Sequence, residues 1–180
     1  MAVPTPVKRV RGMPQTEVLE LSWEFFGELC RVLAVKVATS GYRPDLVVGI
    51  AKAGVIPGAV VASILRCDFY SLKISRDLSA EKQRVRPKIL SAAPKEALGK
   101  RVLIVDEICT SGETLRIATN ALRQVKPLEL MTATSLMKQG GYRPDFHALE
   151  TDAMVIFPWD RHIVSESGEI IENPLYQGLA

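Results

Sequence analysis

The run from Arg101 to Leu115, R-V-L-I-V-D-E-I-C-T-S-G-E-T-L, constrains this chain more than any other stretch. Val102 to Val105 is an uninterrupted apolar, mostly β-branched segment, the pattern of a strand covered on both faces in a parallel sheet. Two carboxylates, Asp106 and Glu107, follow it directly. A turn of small and hydroxylated residues comes next (Thr110, Ser111, Gly112, then Glu113 and Thr114), and after it Leu115, Ala118, Leu122 and Val125 recur at helical spacing. Strand, acidic pair, small-residue turn and helix in that order predict an anion site. The helix N-terminus presents unpaired backbone N–H groups, Gly112 allows close approach of a phosphate, and the hydroxyls add donors. Phosphate would repel adjacent carboxylates, so these must serve otherwise, by accepting hydrogen bonds from sugar hydroxyls or by holding a divalent cation. The plainer alternative is a doubly wound strand-turn-helix with two acidic loop residues. A Walker-type loop is disfavoured, because no Gly-Lys-Ser/Thr follows the strand.

A chain of 180 residues suits one domain with a sizeable core. Residues 1–14, with Pro4, Pro6, Lys8, Arg9 and Arg11, read as a loose arm lacking the apolar centre of a secretory signal, and 15–180 as a single domain. No window approaches the roughly 18 consecutive apolar residues of a membrane span. The net charge of +3 is mild and its cations are dispersed, which argues for small anionic substrates and against nucleic acid. Cys30, Cys67 and Cys109 lack metal or disulfide spacing and suggest free thiols in a reducing cytoplasm.

Along the chain, Thr16 to Leu21 alternates as a short strand, and Ser22 is placed to cap a helix carrying Phe25, Phe26, Leu29, Val32, Leu33 and Val37 inward until Gly41. Leu46 to Ile50 reads as a second fully buried strand. Ala51-Lys52-Ala53-Gly54 follows it, again small residues between a strand and a helix, and so a second backbone-lined anion pocket. The helix of residues 55–66 has Val55, Ala59, Ala62 and Leu65 at core spacing, and Asp68 to Ile74 forms the next strand, ending near Lys73. Ser75 to Lys88 is highly charged, includes Lys82, Arg84 and Arg86, and shows almost no apolar periodicity; a loop of this length is functional, disordered, or a solvated hairpin. Strands are expected at Leu130 to Met137, Asp145 to Thr151 and Met154 to Phe157. Gly-Tyr-Arg-Pro-Asp occurs at residues 41–45 and again at 141–145. Glu166 to Ala180 reads as a surface hairpin or a dimer contact.

These motifs resemble the type I phosphoribosyltransferases, and most closely the xanthine-guanine (purine) members, over nearly everything from Leu46 to Asp160. The resemblance implies an α/β fold, a doubly wound and mostly parallel sheet flanked by helices, with a small hood built from 138–180 and the N-terminal segment. It implies Mg²⁺-dependent transfer of a phosphoribosyl group from phosphoribosyl pyrophosphate to a free nucleobase, a 6-oxopurine by preference, as in purine salvage. Carried over by residue, Asp106 and Glu107 would bind the ribose hydroxyls and the metal, and Thr110, Ser111, Gly112, Glu113 and Thr114 would cradle the 5′-phosphate. Ala51, Lys52, Ala53 and Gly54 would meet the pyrophosphate, helped by Lys73 and by Lys82 and Arg84 from a closing loop. Lys138 would donate to the oxygen at the purine six-position and Asp160 would sit near the metal; the family's stacking aromatic falls at Met154, so stacking on the base would pass to Phe157 or Trp159 or be served by the Met154 side chain.

Further departures qualify the resemblance, the mildest being Glu as the second acid at Glu107, which keeps the charge. Lys52 stands where an Arg is usual, Ala53 replaces a Gly, and Thr110 replaces the Asp that helps handle the purine N7 proton in the oxopurine members. Thr is no carboxylate base at neutral pH. Two alternatives therefore stand beside the oxopurine enzyme: a transferase for adenine or orotate, or a regulator of the same fold that senses phosphoribosyl pyrophosphate or a nucleotide without catalysis. A cytoplasmic homodimer or higher homo-oligomer, with no nucleic-acid or membrane partner, completes the expectation.

Overall fold

The computed structural model describes residues 8–9, 17–75 and 87–177. In chain order the elements begin with β1 (Lys8–Arg9), β2 (Glu17–Glu20), α1 (Trp23–Thr39), β3 (Leu46–Ala51), α2 (Val55–Leu65), β4 (Asp68–Ser75) and β5 (Lys88–Ile89). They continue with β6 (Arg101–Cys109), α3 (Glu113–Arg123), β7 (Glu129–Met137), β8 (Phe146–Glu150), β9 (Met154–Ile156), β10 (His162–Val164) and β11 (Ile170–Glu172). The chain divides into two compact units: residues up to Glu28 together with those from Asp152 onward, and Leu29–Thr151.

The larger unit is built on a six-stranded sheet of order β5-β4-β3-β6-β7-β8, parallel throughout except for β5, which runs antiparallel to β4. This is the doubly wound, mostly parallel arrangement that the resemblance implies, and its parallel strands include the buried apolar runs. Leu46, Val47 and Val48 of β3 and Val102 to Val105 of β6 are buried, as strands sandwiched between helical layers must be. The β6 strand does not stop at the acidic pair. It passes through Asp106 and Glu107 to Cys109, because β7 offers ladder partners as far as Cys109↔Met137.

Leu115, Ala118 and Leu122 of α3 pack on Val48, Leu72, Val102 and Ile104, and Val125, just beyond the helix end, still leans on this cluster. The N-terminus of α1 is capped as expected, with Phe25 N–H donating to Ser22 Oγ at 3.2 Å. Gly41, at φ +88°, leads the chain out of it. The inward stripe of α2 differs from the expected one. Pro57, Gly58, Val61 and Ala62 are buried, whereas Ala59 faces solvent. Glycine decides the rotation: a Cβ on Gly58 would come within 2.9 Å of the Phe69 ring and 3.2 Å of Gly49 Cα, so the helix seats its smallest residue on the sheet.

The repeated pentapeptide plays the same part twice. Asp45 Oδ2 accepts from Arg101 N at 2.8 Å at the start of β6, and Asp145 Oδ2 accepts from Thr132 N at 2.7 Å on β7. Each carboxylate thus satisfies a neighbouring strand's amide. The guanidinium of Arg101 also donates to both Asp45 oxygens, from Nη2 at 2.9 Å and Nε at 3.3 Å. These hydrogen bonds hold the Asp45 carboxyl at about 2, below the ordinary carboxylate range. Because the folded value is the lower one, the pair's stabilisation is complete above about pH 4 and is lost as pH falls toward 2. Asp45→Asn should therefore flatten the pH dependence of the urea midpoint in that window. A parallel, merely offset curve would refute the assignment.

In the smaller unit β1, β2 and β9 form a three-stranded sheet, with β2 parallel to β9. β10 and β11 make an antiparallel hairpin in the C-terminal region. Phe26, Phe157 and Trp159 close an aromatic cluster there, Phe157 and Trp159 stacking with centroids 4.7 Å apart and Phe26 set edge-on to both.

Candidate active site

Strand order places the site. From β3 the chain crosses through α2 to β4 on one side, and from β6 it crosses through α3 to β7 on the other. Such a reversal opens a crevice at the carboxyl ends of the two central strands, the usual ligand position in an open α/β sheet. Both small-residue loops of the sequence border this switch point, one leaving β3 at Ala51 and the other leaving β6 at Cys109.

The loop leaving β3 meets strand β6 at Gly54 and Asp106. A Cβ on Gly54 would approach Asp106 Oδ1 to 2.7 Å, Ile50 O to 2.7 Å and Val105 O to 2.8 Å, so only glycine fits. Asp106 is 4% exposed, and its Oδ1 accepts from the Glu107 amide at 3.1 Å. Glu107 is half-buried. Lys52 is exposed at the head of α2, beyond the cis Ala51–Lys52 peptide. Lys73 is also exposed, and the register Ala51↔Lys73 brings its strand end beside that loop. Lys82, Arg84 and Arg86 lie outside the described residues. The segments flanking them pair antiparallel, Ser75 with Lys88.

After β6 the turn is held open by Gly112 in the left-handed region, φ +74°, as the N-cap of α3. Gly112 has no side chain to cap the helix. Ser111 Oγ accepts from Glu113 N at 3.4 Å, and Arg116 Nη2 donates to Ser111 O at 3.2 Å. The first-turn amides of α3 and the exposed Thr110 and Ser111 thus surround a positive helix end, as an anion site requires. Lys138 stands half-buried at the end of β7, and its amide donates to Cys109 O at 2.9 Å.

The structure therefore brings Ala51 to Gly54, Lys73, Asp106, Glu107, Thr110 to Thr114 and Lys138 to the carboxyl end of one sheet. Phe157, Trp159 and Asp160 belong to the smaller unit. Phe157 is buried, while Trp159 and Asp160 are half-buried, and Asn173 Nδ2 donates to Asp160 O at 2.8 Å. Two residues near the turn carried no sequence signal. Arg116 was hidden by its place on an ordinary amphipathic helix. Tyr142, in the second Gly-Tyr-Arg-Pro-Asp copy, lies against Gly112 so closely that a Cβ there would overlap its ring.

Oxygen-only donors suit a hard cation such as Mg²⁺, and Asp106 and Glu107 supply them. Among the described residues no group of three or more His, Cys, Asp or Glu could hold a metal ion. Mg²⁺ commonly takes one or two carboxylates and completes its shell with water and substrate phosphates. No helix among the described residues is long and apolar enough to cross a membrane.

Comparison with known proteins agrees with this geometry. Xanthine-guanine phosphoribosyltransferase of Gluconobacter oxydans is 26% identical over 151 residues, spanning 82% of this chain and 88% of that protein. The transcriptional regulator GfcR of Archaeoglobus fulgidus is 29% identical over 142 residues, spanning 75% of this chain and 72% of the regulator. A purine phosphoribosyltransferase from Pyrococcus horikoshii has the same fold, with a TM-score of 0.70 at 24% identity over 83% of this chain and 98% of that one. The phosphoribosyl transferase domain family matches residues 21–167, from the end of β2 past β10, and the chain is a transferase belonging to that family.

Proposed function

We propose that the protein transfers the phosphoribosyl group of phosphoribosyl pyrophosphate to a 6-oxopurine in purine salvage, releasing pyrophosphate. The observation that carries this reading is the meeting of the Lys52 loop, the acidic pair and the Gly112 turn at one switch point. In this reading the first-turn amides of α3, with Thr110, Ser111 and Thr114, take the 5′-phosphate. Asp106 and Glu107 accept hydrogen bonds from the ribose hydroxyls. Lys52 and Lys73 face the departing pyrophosphate, where negative charge grows as the sugar becomes oxocarbenium-like; Lys82 and Arg84, outside the described residues, are assigned the same task. Asp106 and Glu107 would also hold Mg²⁺ together with the pyrophosphate, where the metal would neutralise leaving-group charge. Lys138 donates to the purine six-position oxygen. Trp159, which keeps exposed surface, is the better candidate than Phe157 for stacking on the base, and Asp160 is assigned an outer role at the metal. Pyrophosphate release, measured with Mg²⁺, phosphoribosyl pyrophosphate and each free base in turn, tests the reading. Binding without release would favour a sensor that has lost catalysis, the outcome toward which Thr110 points.

The three cysteines form no disulfide and two of them are buried, which suits a reducing cytoplasm. We also infer a homo-oligomer, supported by α2. Its outer side exposes Ala59, Val60, Ser63 and Ile64 without a single charge, and a helix that is apolar on every side is ordinarily covered. A second copy offers the same uncharged stripe, as a two-fold contact requires. Wild type should elute as a dimer or larger in light scattering, and Val60→Glu with Ile64→Glu should release folded monomer. A monomeric wild type at all concentrations would contradict it.

A further inference from the structure

We infer that Tyr142 is a positioning residue, whose ring holds the phosphate turn in shape and ties it to the loop carrying Lys138. The inference rests on the proposed phosphoribosyl site and adds to it a residue to which the resemblance assigns no role. The turn from Thr110 to Gly112 lacks a side-chain cap from its own N-cap residue and takes a left-handed backbone at Gly112. Something else must fix it, since an anion site works only if the helix-end amides converge before the ligand arrives.

The loop after β7 provides that support along its whole length. Lys138 N–H donates to Cys109 O at 2.9 Å, Tyr142 N–H donates to Thr110 O at 3.1 Å, and Cys109 Sγ–H donates to Tyr142 O at 3.3 Å. Gly141 N–H closes the loop on Lys138 O at 3.3 Å. At Gly141 a Cβ would overlap the Thr110 carbonyl, so the two backbones touch there. On this stitched frame the first atoms of the Tyr142 side chain, Cβ, Cγ and Cδ1, fill the space that a Cβ on Gly112 would need. Tyr142 nonetheless remains 38% exposed. A large aromatic on an exposed loop that packs its inner edge on one glycine acts on the conformation of that glycine. The contact uses ring packing, so Phe should serve as well as Tyr.

The experiment compares wild type, Tyr142→Phe and Tyr142→Ala in two measurements. In the ligand-free protein, hydrogen exchange at the Glu113 and Arg116 amides, which bond to Ser111 Oγ and Gly112 O, should quicken about tenfold in Tyr142→Ala and stay unchanged in Tyr142→Phe. Affinity for phosphoribosyl pyrophosphate, by calorimetry, should fall about tenfold to a hundredfold in Tyr142→Ala and be restored in Tyr142→Phe. In turnover, KM for the sugar pyrophosphate should rise while kcat moves less, because the ring touches no reacting atom. Unchanged exchange in Tyr142→Ala overturns the inference, as does faster exchange with wild-type affinity. Equal damage from Tyr142→Phe would assign the effect to the hydroxyl and also overturn it. Tyr142→Leu takes the place of Tyr142→Ala should the latter lose its circular-dichroism signature. A wild type that binds no phosphoribosyl pyrophosphate would remove the proposed function alone, and the exchange comparison would still decide whether the ring holds the turn.

Discussion

Replacing Asp106 with Asn and Glu107 with Gln should abolish detectable binding of phosphoribosyl pyrophosphate while leaving the fold intact. Hydrogen bonds to a charged group contribute about 1.5–3 kcal/mol each, so two carboxylates on the ribose amount to roughly a hundredfold or more in affinity. The hydrogen bond that Asp106 Oδ1 accepts from the Glu107 amide is kept by the Asn oxygen, and Asn adds no bulk against Gly54. Calorimetric titration of the double variant, with circular dichroism as a control, decides the matter. Wild-type affinity in a folded double variant would sink the ribose assignment.

Lys138→Ala should erase discrimination between bases with an oxygen at the six-position and those with an amino group. A lysine ammonium donating to a carbonyl oxygen gives a charge-assisted hydrogen bond of about 1.5–3 kcal/mol, roughly tenfold to a hundredfold in selectivity. An amino group at that position leaves the half-buried ammonium without its acceptor. Thr110 bears on a different quantity. Losing a positioned proton acceptor costs on the order of 10²–10⁴ in rate without changing which base fits, so Thr110→Asp should speed turnover and leave the preference alone. Competition between hypoxanthine, guanine, xanthine, adenine and orotate separates the two effects. Wild-type preference for adenine or orotate would overturn the role given to Lys138, while the phosphate and ribose assignments would stand.

The chemistry-bearing segments were legible because each is a local pattern. An apolar β-branched run, an acidic pair, a glycine turn and a helical repeat are set by residues a few positions apart, whose backbone preferences and burial act over that range. Hence β3, the buried run of β6 and α3 lie where the sequence places them, and so do both small-residue loops and the Ser22 cap. The end of β6 was not legible, since its ladder past Asp106 depends on β7. Nor was the inner face of α2, apolar all round and therefore free to rotate until Gly58 met Phe69 and Gly49. The same limit explains the repeated pentapeptide: its two tyrosines are identical in sequence, yet Tyr42 is buried with its hydroxyl on Val102 O, and Tyr142 is exposed against Gly112. That two small-residue loops and an acidic pair follow buried strands is read from the order of residues along the chain. That Gly54 abuts Asp106 and that Tyr142 braces Gly112 is settled only in three dimensions, because contacts between distant segments follow from strand order and packing, which no local pattern encodes.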